Sequence, residues 1–224
     1  MSGLVLPEPP PALATIRPDI RRVRAGTSLW RIYARGGAHP QRWHDFRHFG
    51  PSGSRFDHHL PGPDGAAALQ ERGIYYAIVG RAGPGRGTHP ITASIGEVYQ
   101  QTREVDRTAR MPYLASFRTA RALQLLDLTS SWPIRANVTA QIAVGPHEWS
   151  RRWAVAIYDA YPRLDGLFYR SAYGSGALAV ALFERARDAL PPPGGADCFD
   201  QPLAHPELLS RLRRACRDLG YELR

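Results

Sequence analysis

The stretch GIYYAIV, residues Gly73–Val79, decides the fold that this sequence predicts. It is rich in aromatic and β-branched residues, which is typical of a β-strand. Before it, TSLWRIYAR (Thr27–Arg35) alternates and carries the same residue types, which predicts the first strand. After it, ITASIGEVYQQT (Ile91–Thr102) has apolar residues at helical spacing. Strands followed by a helix indicate the α/β class.

The rest of the chain continues this mixture of elements. Aromatic residues recur every four positions in residues 147–162, and leucines share one face in residues 205–220, so both stretches predict amphipathic helices. Further strands are predicted at 112–119, 122–129, 165–173 and 176–184, with a short helix in 132–146 and an edge strand at 221–223. We find no internal repeat. The pattern predicts one compact α/β (α+β) domain with a mixed sheet over residues 19–224, after a flexible Pro/Ala-rich arm at 1–18.

The composition limits the chemistry. All 29 basic residues are arginine, against 20 acidic residues, and the net charge is +9. Without lysine, a P-loop, a pyridoxal-phosphate enzyme and a Schiff-base aldolase are excluded, and phosphate must be bound by arginine or backbone N–H groups. No apolar run reaches the roughly 18 residues of a membrane span, and two cysteines are too few for a disulfide framework. A cytoplasmic protein is expected.

Several motifs suggest sites without specifying one. The two histidine-rich stretches, HDFRH (44–48) and GSRFDHHLPG (53–62), are compatible with a metal, but the zinc-protease glutamate is absent and polar loops explain them better. GPGRG (83–87) lacks the strand–turn–helix context of a dinucleotide-binding loop and is interpreted as a flexible insertion. SAYGSGA (171–177) holds two serines but no nucleophile elbow. No metal site is predicted.

Five short stretches in order carry more information than any of them alone: LWRIY, SRFDHH, GIYYA, ASIGEV and GLFYRSAY. This ordered set resembles the RES domain family over roughly residues 29–190. The resemblance implies a fold related to the ADP-ribosyltransferases and a cytoplasmic bacterial toxin that degrades NAD by phosphorolysis or hydrolysis. It also implies an Xre-like antitoxin as the partner, in dimers or larger assemblies. No direct nucleic-acid contact is expected, because the arginines are scattered and no nucleic-acid-binding motif is present, and no membrane contact is expected, because no long apolar run is present.

The resemblance transfers the family's functional residues to positions of this chain. The family arginine falls on Arg55 and the helix glutamate on Glu97, while the late serine falls on Ser171. Arg31, in the first strand, is a second arginine for NAD. These four residues are predicted to bind or cleave the substrate.

The strand tyrosine of the family falls on Tyr75, as a catalytic and NAD-binding residue, although Tyr76 beside it leaves the register open. His58 is predicted to orient the substrate, with His59 indistinguishable from it. The tryptophan and asparagine that often follow the family arginine are replaced by Phe56 and Asp57. The segment between the tyrosine strand and the glutamate helix is also longer than is usual in the family.

The chemistry implied by the resemblance fits these residue types. The nicotinamide of NAD is a cation and leaves as a neutral ring, so the reaction needs no general acid and no metal. It needs a carboxylate near the oxocarbenium-like ribose and cations for the diphosphate or for an incoming inorganic phosphate. Two other interpretations stay open: an ADP-ribosyltransferase that modifies a macromolecule, and a non-enzymatic, arginine-rich module that binds an acidic partner or nucleic acid.

Overall fold

The computed structural model describes residues 6–80, 88–138, 140–173, 176–193 and 198–224. Four α-helices and eleven strands occur in these ranges, together with short 3₁₀ turns. The helices are α1 (Pro90–Tyr99), α2 (Trp132–Arg135), α3 (His147–Ala160) and α4 (Leu209–Leu219). The strands are β1 (Ile20–Val23), β2 (Ser28–Ala34), β3 (Arg47–Gly50), β4 (Ala68–Val79), β5 (Glu104–Val105), β6 (Pro112–Arg118), β7 (Leu123–Asp127), β8 (Gly166–Arg170), β9 (Leu178–Phe183), β10 (Phe199–Pro202) and β11 (Glu222–Leu223).

Nine of the described strands form one mixed sheet. Its order is β1-β7-β8-β9-β4-β2-β6-β10, with β3 also paired to β4, and only β7 and β8 run parallel. The long strand β4 therefore has three partners. One edge pairs with β9, while the other edge pairs with β3 up to Ile74 and with β2 from Ile78 onward. Tyr75–Ala77 lie where β2 and β3 separate.

The two faces of the sheet are covered differently. All four helices lie on one face: α2 and α3 cover β7, β8 and β9, and α1 and α4 cover β2 and β6. The other face is covered by the irregular segment after β2, which contributes Trp43 and Phe46, and by the 3₁₀ turn Glu184–Ala189. Because successive side chains of a strand point to opposite faces of the sheet, Ile74, Tyr76 and Ile78 of β4 face the helices, and Tyr75 faces the opposite side.

The described part of the N-terminal segment packs against α3. The carbonyl of Pro7 accepts hydrogen bonds from the indoles of Trp149 (2.8 Å) and Trp153 (2.9 Å). Leu13 is buried, and its carbonyl accepts a hydrogen bond from the Tyr161 hydroxyl at 2.9 Å. The stretch for which the composition predicts a flexible arm is thus attached through backbone carbonyls, which a pattern of side chains does not reveal.

The predicted fold class is confirmed, and most predicted elements are present. The strands at 112–119, 122–129, 165–173 and 176–184 correspond to β6, β7, β8 and β9. The C-terminal strand, β11, pairs with β5 in a separate two-stranded sheet. Helix α1 ends three residues earlier than predicted, before the chain turns at Arg103 (φ 53°). The glycine-rich motif at 83–87 and the second serine, Ser175, lie outside the described residues.

We expect Tyr161→Phe to loosen the N-terminal segment. The hydroxyl accepts from the Trp132 indole at 3.3 Å and contacts the carbonyls of Leu13 and Ile16, so its removal leaves buried polar groups unpaired. The free energy of unfolding should fall by about 1–3 kcal/mol in urea, and trypsin should cleave after Arg17 more readily. Tyr173→Phe, at an exposed tyrosine, is the control. If Tyr161→Phe has the same free energy of unfolding as the parent and the same resistance to trypsin after Arg17, this account is contradicted.

Candidate active site

A cavity of about 550 Å³ lies over β4, between the two pairs of helices. This volume falls within the range of about 300–1,000 Å³ that is usual for ligand sites. Side chains of β2, β4 and α1 line it, together with the 52–55 loop and the segment around residues 143–147. The cavity reaches the point where β2 and β3 separate, so Arg31 and Arg47 also border it. The split edge of β4 thus creates the space.

Glu97 is the one acidic residue among the described residues that line the cavity. It lies near the C-terminal end of α1, which begins at Pro90 with the His89 side chain accepting from the Ile91 N–H. Burial raises the pKa of Glu97, whereas a hydrogen bond from the Ser171 hydroxyl and the positive charge of Arg55 act to lower it. The carboxylate is therefore held half-buried beside a cation and a hydroxyl donor.

Arg55 is fixed by contacts of the loop that carries it. Its guanidinium donates to the carbonyl of Gly145, and the His147 imidazole donates to the carbonyl of Gly53 at 2.7 Å. The 52–55 loop is thereby fastened to the start of α3 from both sides. Arg55 and Glu97, which are 42 positions apart in the sequence, come together across the cavity.

Two tyrosines of the sheet contribute to the aromatic lining of the cavity. Tyr76 of β4 and Tyr169 of β8 face the helices, and the Tyr76 hydroxyl accepts from the Phe56 N–H at 3.0 Å. Burial raises the pKa of both phenols, and the Glu97 charge raises it further. Tyr75, predicted to contact NAD, does not line the cavity: it faces the opposite side of the sheet, and its hydroxyl donates to the Trp43 carbonyl.

The position of Tyr75 gives it a supporting role. The Arg31 guanidinium stacks on its ring, with 4.1 Å from the central carbon to the ring centroid. Arg31 also donates to the Gln41 amide oxygen at 3.0 Å and to the Asp45 carbonyl at 3.1 Å. Its buried Nε has no hydrogen-bond partner among the described residues. Arg31 thus borders the cavity without a carboxylate partner there.

His58, which the sequence predicts to orient the substrate, is not among the residues that line the cavity. Its ring is fully buried and stacks on the Tyr158 ring, with 4.5 Å between the ring centroids. Its Nε2 lies 3.4 Å from a Glu184 carboxylate oxygen. Burial lowers the pKa of His58, and the Glu184 charge opposes that shift. Glu184 also accepts from the Gly73 N–H. His58 therefore attaches the loop to β4 and α3 and does not line the cavity.

Asp57 organises the same loop. Its carboxylate is fully buried and accepts from the Ser52 N–H (2.6 Å), the Arg47 guanidinium (3.1 Å) and the His59 imidazole. Burial acts to raise the pKa of Asp57, but the His59 hydrogen bond and the Arg47 charge outweigh it and hold the pKa below its ordinary value. Gly50 leaves room for this pair, because a Cβ there would lie 2.6 Å from the His59 ring.

The histidines that sequence reasoning considered for a metal are dispersed. His44 Nε2 lies 3.6 Å from the Asp45 carboxylate, and His48 contacts the Gln70 carbonyl and Arg187. Within the described ranges, no three His, Cys, Asp or Glu side chains converge to hold a metal ion. In the same ranges, no helix is both long and apolar enough to cross a membrane.

A sequence model of the RES domain matches residues 28–199, which contain the cavity and most strands of the sheet. The chain belongs to the RES domain family. The family predicted from the five short stretches is thereby confirmed. No curated protein matches the chain. A chain in the crystal structure of the M. tuberculosis MbcT–MbcA toxin–antitoxin complex is similar at 16% identity and a TM-score of 0.47, covering 86% of this chain and 92% of that one.

Sequence reasoning did not select several residues of the RES cavity. Tyr169 stands two positions before Ser171, and strand alternation would have placed both on one face. Arg47 stands directly before His48 in the histidine-rich stretch HDFRH, and no sequence motif distinguishes it there. Ser94, one helical turn before Glu97, is detectable by the helical spacing of α1. No local sequence signal points to His147. It lies at the cavity because the start of α3 packs against the 52–55 loop, which is far from it in the sequence.

We expect Asp57→Asn to destabilise the protein most at neutral pH. The lowered pKa in the folded state means that this carboxylate contributes stability above about pH 4 and loses it as the pH falls toward the folded-state pKa. At pH 7 the free energy of unfolding should fall by about 3–5 kcal/mol, because Arg47 and His59 lose a buried partner. Urea unfolding between pH 7 and pH 3 measures this. A difference between variant and parent that does not shrink as the solution is acidified would contradict it.

Proposed function

We propose that this RES protein cleaves NAD at the bond between nicotinamide and ribose. The observation that supports this most is Glu97, an acidic side chain that accepts a hydrogen bond from Ser171 and lies near the charge of Arg55, in a cavity that four arginines also border. Cleavage of this bond develops positive charge on the ribose, and a fixed carboxylate stabilises that charge without having to reorganise.

Each group has a stated task in the proposed reaction. The electron pair of the broken C–N bond goes to the nicotinamide ring, which leaves neutral, and the acceptor forms a new bond to C1′ of the ribose. Glu97 stabilises the oxocarbenium-like ribose, and Ser171 holds the Glu97 carboxylate in place. Arg55 and Arg31 bind the diphosphate. Tyr76 replaces Tyr75 as the tyrosine of the cavity, so the register that the sequence left open favours the second position.

The acceptor is either inorganic phosphate or water. With phosphate, C1′ gains a C–O bond to a phosphate oxygen; with water, it gains a hydroxyl and one proton is released. Four arginines border the cavity, and of these only Arg47 is in an ion pair within the described residues. Cationic groups are thus present for an anion in addition to NAD. Phosphate is the acceptor that this charge favours.

Family membership supports two further parts of the proposal. We propose that the protein acts as the toxin of a bacterial toxin–antitoxin pair and that an Xre-like antitoxin neutralises it. An assembly of the toxin with its antitoxin, as homodimers or larger, belongs to the same proposal. Co-purification of the chain with the product of a neighbouring antitoxin gene, together with loss of NAD cleavage in the complex, would test this.

The direct test is NAD consumption by the purified full chain, with and without phosphate. Glu97→Gln should reduce kcat/KM by about 100- to 1,000-fold, since it removes the charge and keeps the shape. Glu71→Gln, at an exposed glutamate of β4, is the matched control and should be as active as the parent. Folding of each variant is checked by circular dichroism.

The products separate the competing activities. ADP-ribose 1″-phosphate indicates phosphorolysis, and free ADP-ribose indicates hydrolysis. Radiolabel from NAD on a protein or nucleic acid would instead support ADP-ribosyl transfer. No release of nicotinamide from folded material under any of these conditions would refute the enzymatic proposal, and salt-sensitive nucleic-acid binding would then favour a binding module.

The pH dependence offers an independent test. Because Glu97 must be ionised and burial raises its pKa, kcat/KM should fall on acidification at a higher pH than an exposed glutamate, near 4.3, would give. Arg55→Gln removes a charge that lowers this pKa, so the acidic limb should move to higher pH. Ser171→Ala should move it in the same direction. If the acidic limbs of both variants coincide with that of the parent, Glu97 is not the group whose titration sets the pH dependence of kcat/KM.

A further inference from the structure

Arg47 meets the cavity with part of its donor set unused. Its guanidinium has five N–H groups, of which one donates to the Phe49 carbonyl and one to Asp57. The remaining three have no partner among the described residues. The side chain is 19% exposed, and the residue borders the cavity where β2 and β3 separate. Because Arg47 is held by the Phe49 carbonyl and the Asp57 carboxylate, its other N–H groups are available to a ligand in the cavity.

Asp57 holds this arginine together with the loop that carries Arg55. The same carboxylate accepts from the backbone and hydroxyl of Ser52, and the Asp57 N–H donates to the Ser54 carbonyl at 3.3 Å. Ser52, Ser54, Arg55 and Arg47 all border the cavity. One buried group thus sets the position of both arginines, Arg47 directly and Arg55 through the loop.

Stability alone does not account for this arrangement. Burying a carboxylate with an arginine and a histidine requires desolvation of all three, and well-packed apolar residues commonly give equal stability. What an apolar cluster cannot do is fix a guanidinium in one orientation. The aspartate is placed behind Arg47, away from the ligand space, where it orients the arginine without competing at the donors that remain.

We propose that Arg47 binds a phosphate of the diphosphate of the substrate and that Asp57 is its positioning residue. This inference rests on the proposed function, since it takes NAD as the ligand. The bidentate fork of arginine matches phosphate oxygens, and Asp57 keeps that fork in place before the ligand arrives. Asp57 contacts Arg47 and does not itself line the cavity.

Binding of ADP-ribose to the full chain, measured by calorimetry, tests both parts. ADP-ribose carries the diphosphate and is not a substrate for cleavage at the nicotinamide bond. Arg47→Gln should weaken binding by about 10- to 150-fold, the range expected for charge-assisted hydrogen bonds. Adenosine, which has no phosphate, should bind the parent and this variant equally, however weakly.

A double-mutant cycle separates positioning from general destabilisation. Asp57→Asn should weaken ADP-ribose binding by about 3- to 30-fold in the parent and by a smaller factor in the Arg47→Gln background, where only its effect through the loop of Arg55 remains. The matched control is Asp165→Asn, at another buried aspartate paired with an arginine, Arg121, which lies outside the cavity. It should lose stability and keep its affinity. Ser52→Ala, a milder change at the same carboxylate, replaces Asp57→Asn if that variant does not fold.

The outcomes are distinct. Equal weakening by Asp57→Asn in both backgrounds, or no weakening in either, overturns the positioning role. Unchanged ADP-ribose affinity in Arg47→Gln overturns the phosphate contact. A parent chain that cleaves NAD but does not bind ADP-ribose overturns this inference alone. A parent chain that neither cleaves NAD nor binds ADP-ribose overturns the proposed function together with it.

Discussion

The pairing of β4 with three strands is the constraint on which the rest of the structure depends. One edge of β4 is occupied by β9, and the other must be shared between β3 and β2. Two strands cannot occupy one edge at the same level, so they separate around Tyr75–Ala77. This separation opens the sheet under α1 and lets arginines from both strands border the same cavity.

The charge distribution around this opening is the second determinant of the site. Arginines border the cavity, and a half-buried glutamate, Glu97, lies among them. The fully buried Asp57 forms an ion pair with Arg47 outside the cavity. It thereby sets the direction of the Arg47 side chain and leaves part of its N–H groups facing the cavity. Because the chain contains no lysine, the cations that border the cavity are planar guanidinium groups, whose hydrogen bonding depends on orientation as well as on charge.

The neighbouring residues Tyr75 and Tyr76 show how far sequence reasoning extends to individual side chains. Successive residues of a strand point to opposite faces, so a shift of one position decides between the cavity and the far side of the sheet. Short motifs align to within one or two residues and cannot resolve that difference. The same limit applies to His58, which follows Arg55 by three positions in the sequence but contacts Tyr158 and Glu184 and not the cavity.

The sequence by itself determined the family, the mixed α/β class and the positions of most strands and helices, because these depend on local periodicity and on the order of short motifs. It also predicted Arg55, Glu97 and Ser171 as site residues, and in the structure Arg55 and Ser171 both act on the Glu97 carboxyl group. Only the tertiary structure decided that Tyr76 and not Tyr75 lines the cavity, that the Pro7 carbonyl accepts hydrogen bonds from two tryptophan indoles, and that Asp57 anchors Arg47. These features depend on contacts between segments far apart in the chain, and no local pattern of residues encodes the direction in which a loop side chain points.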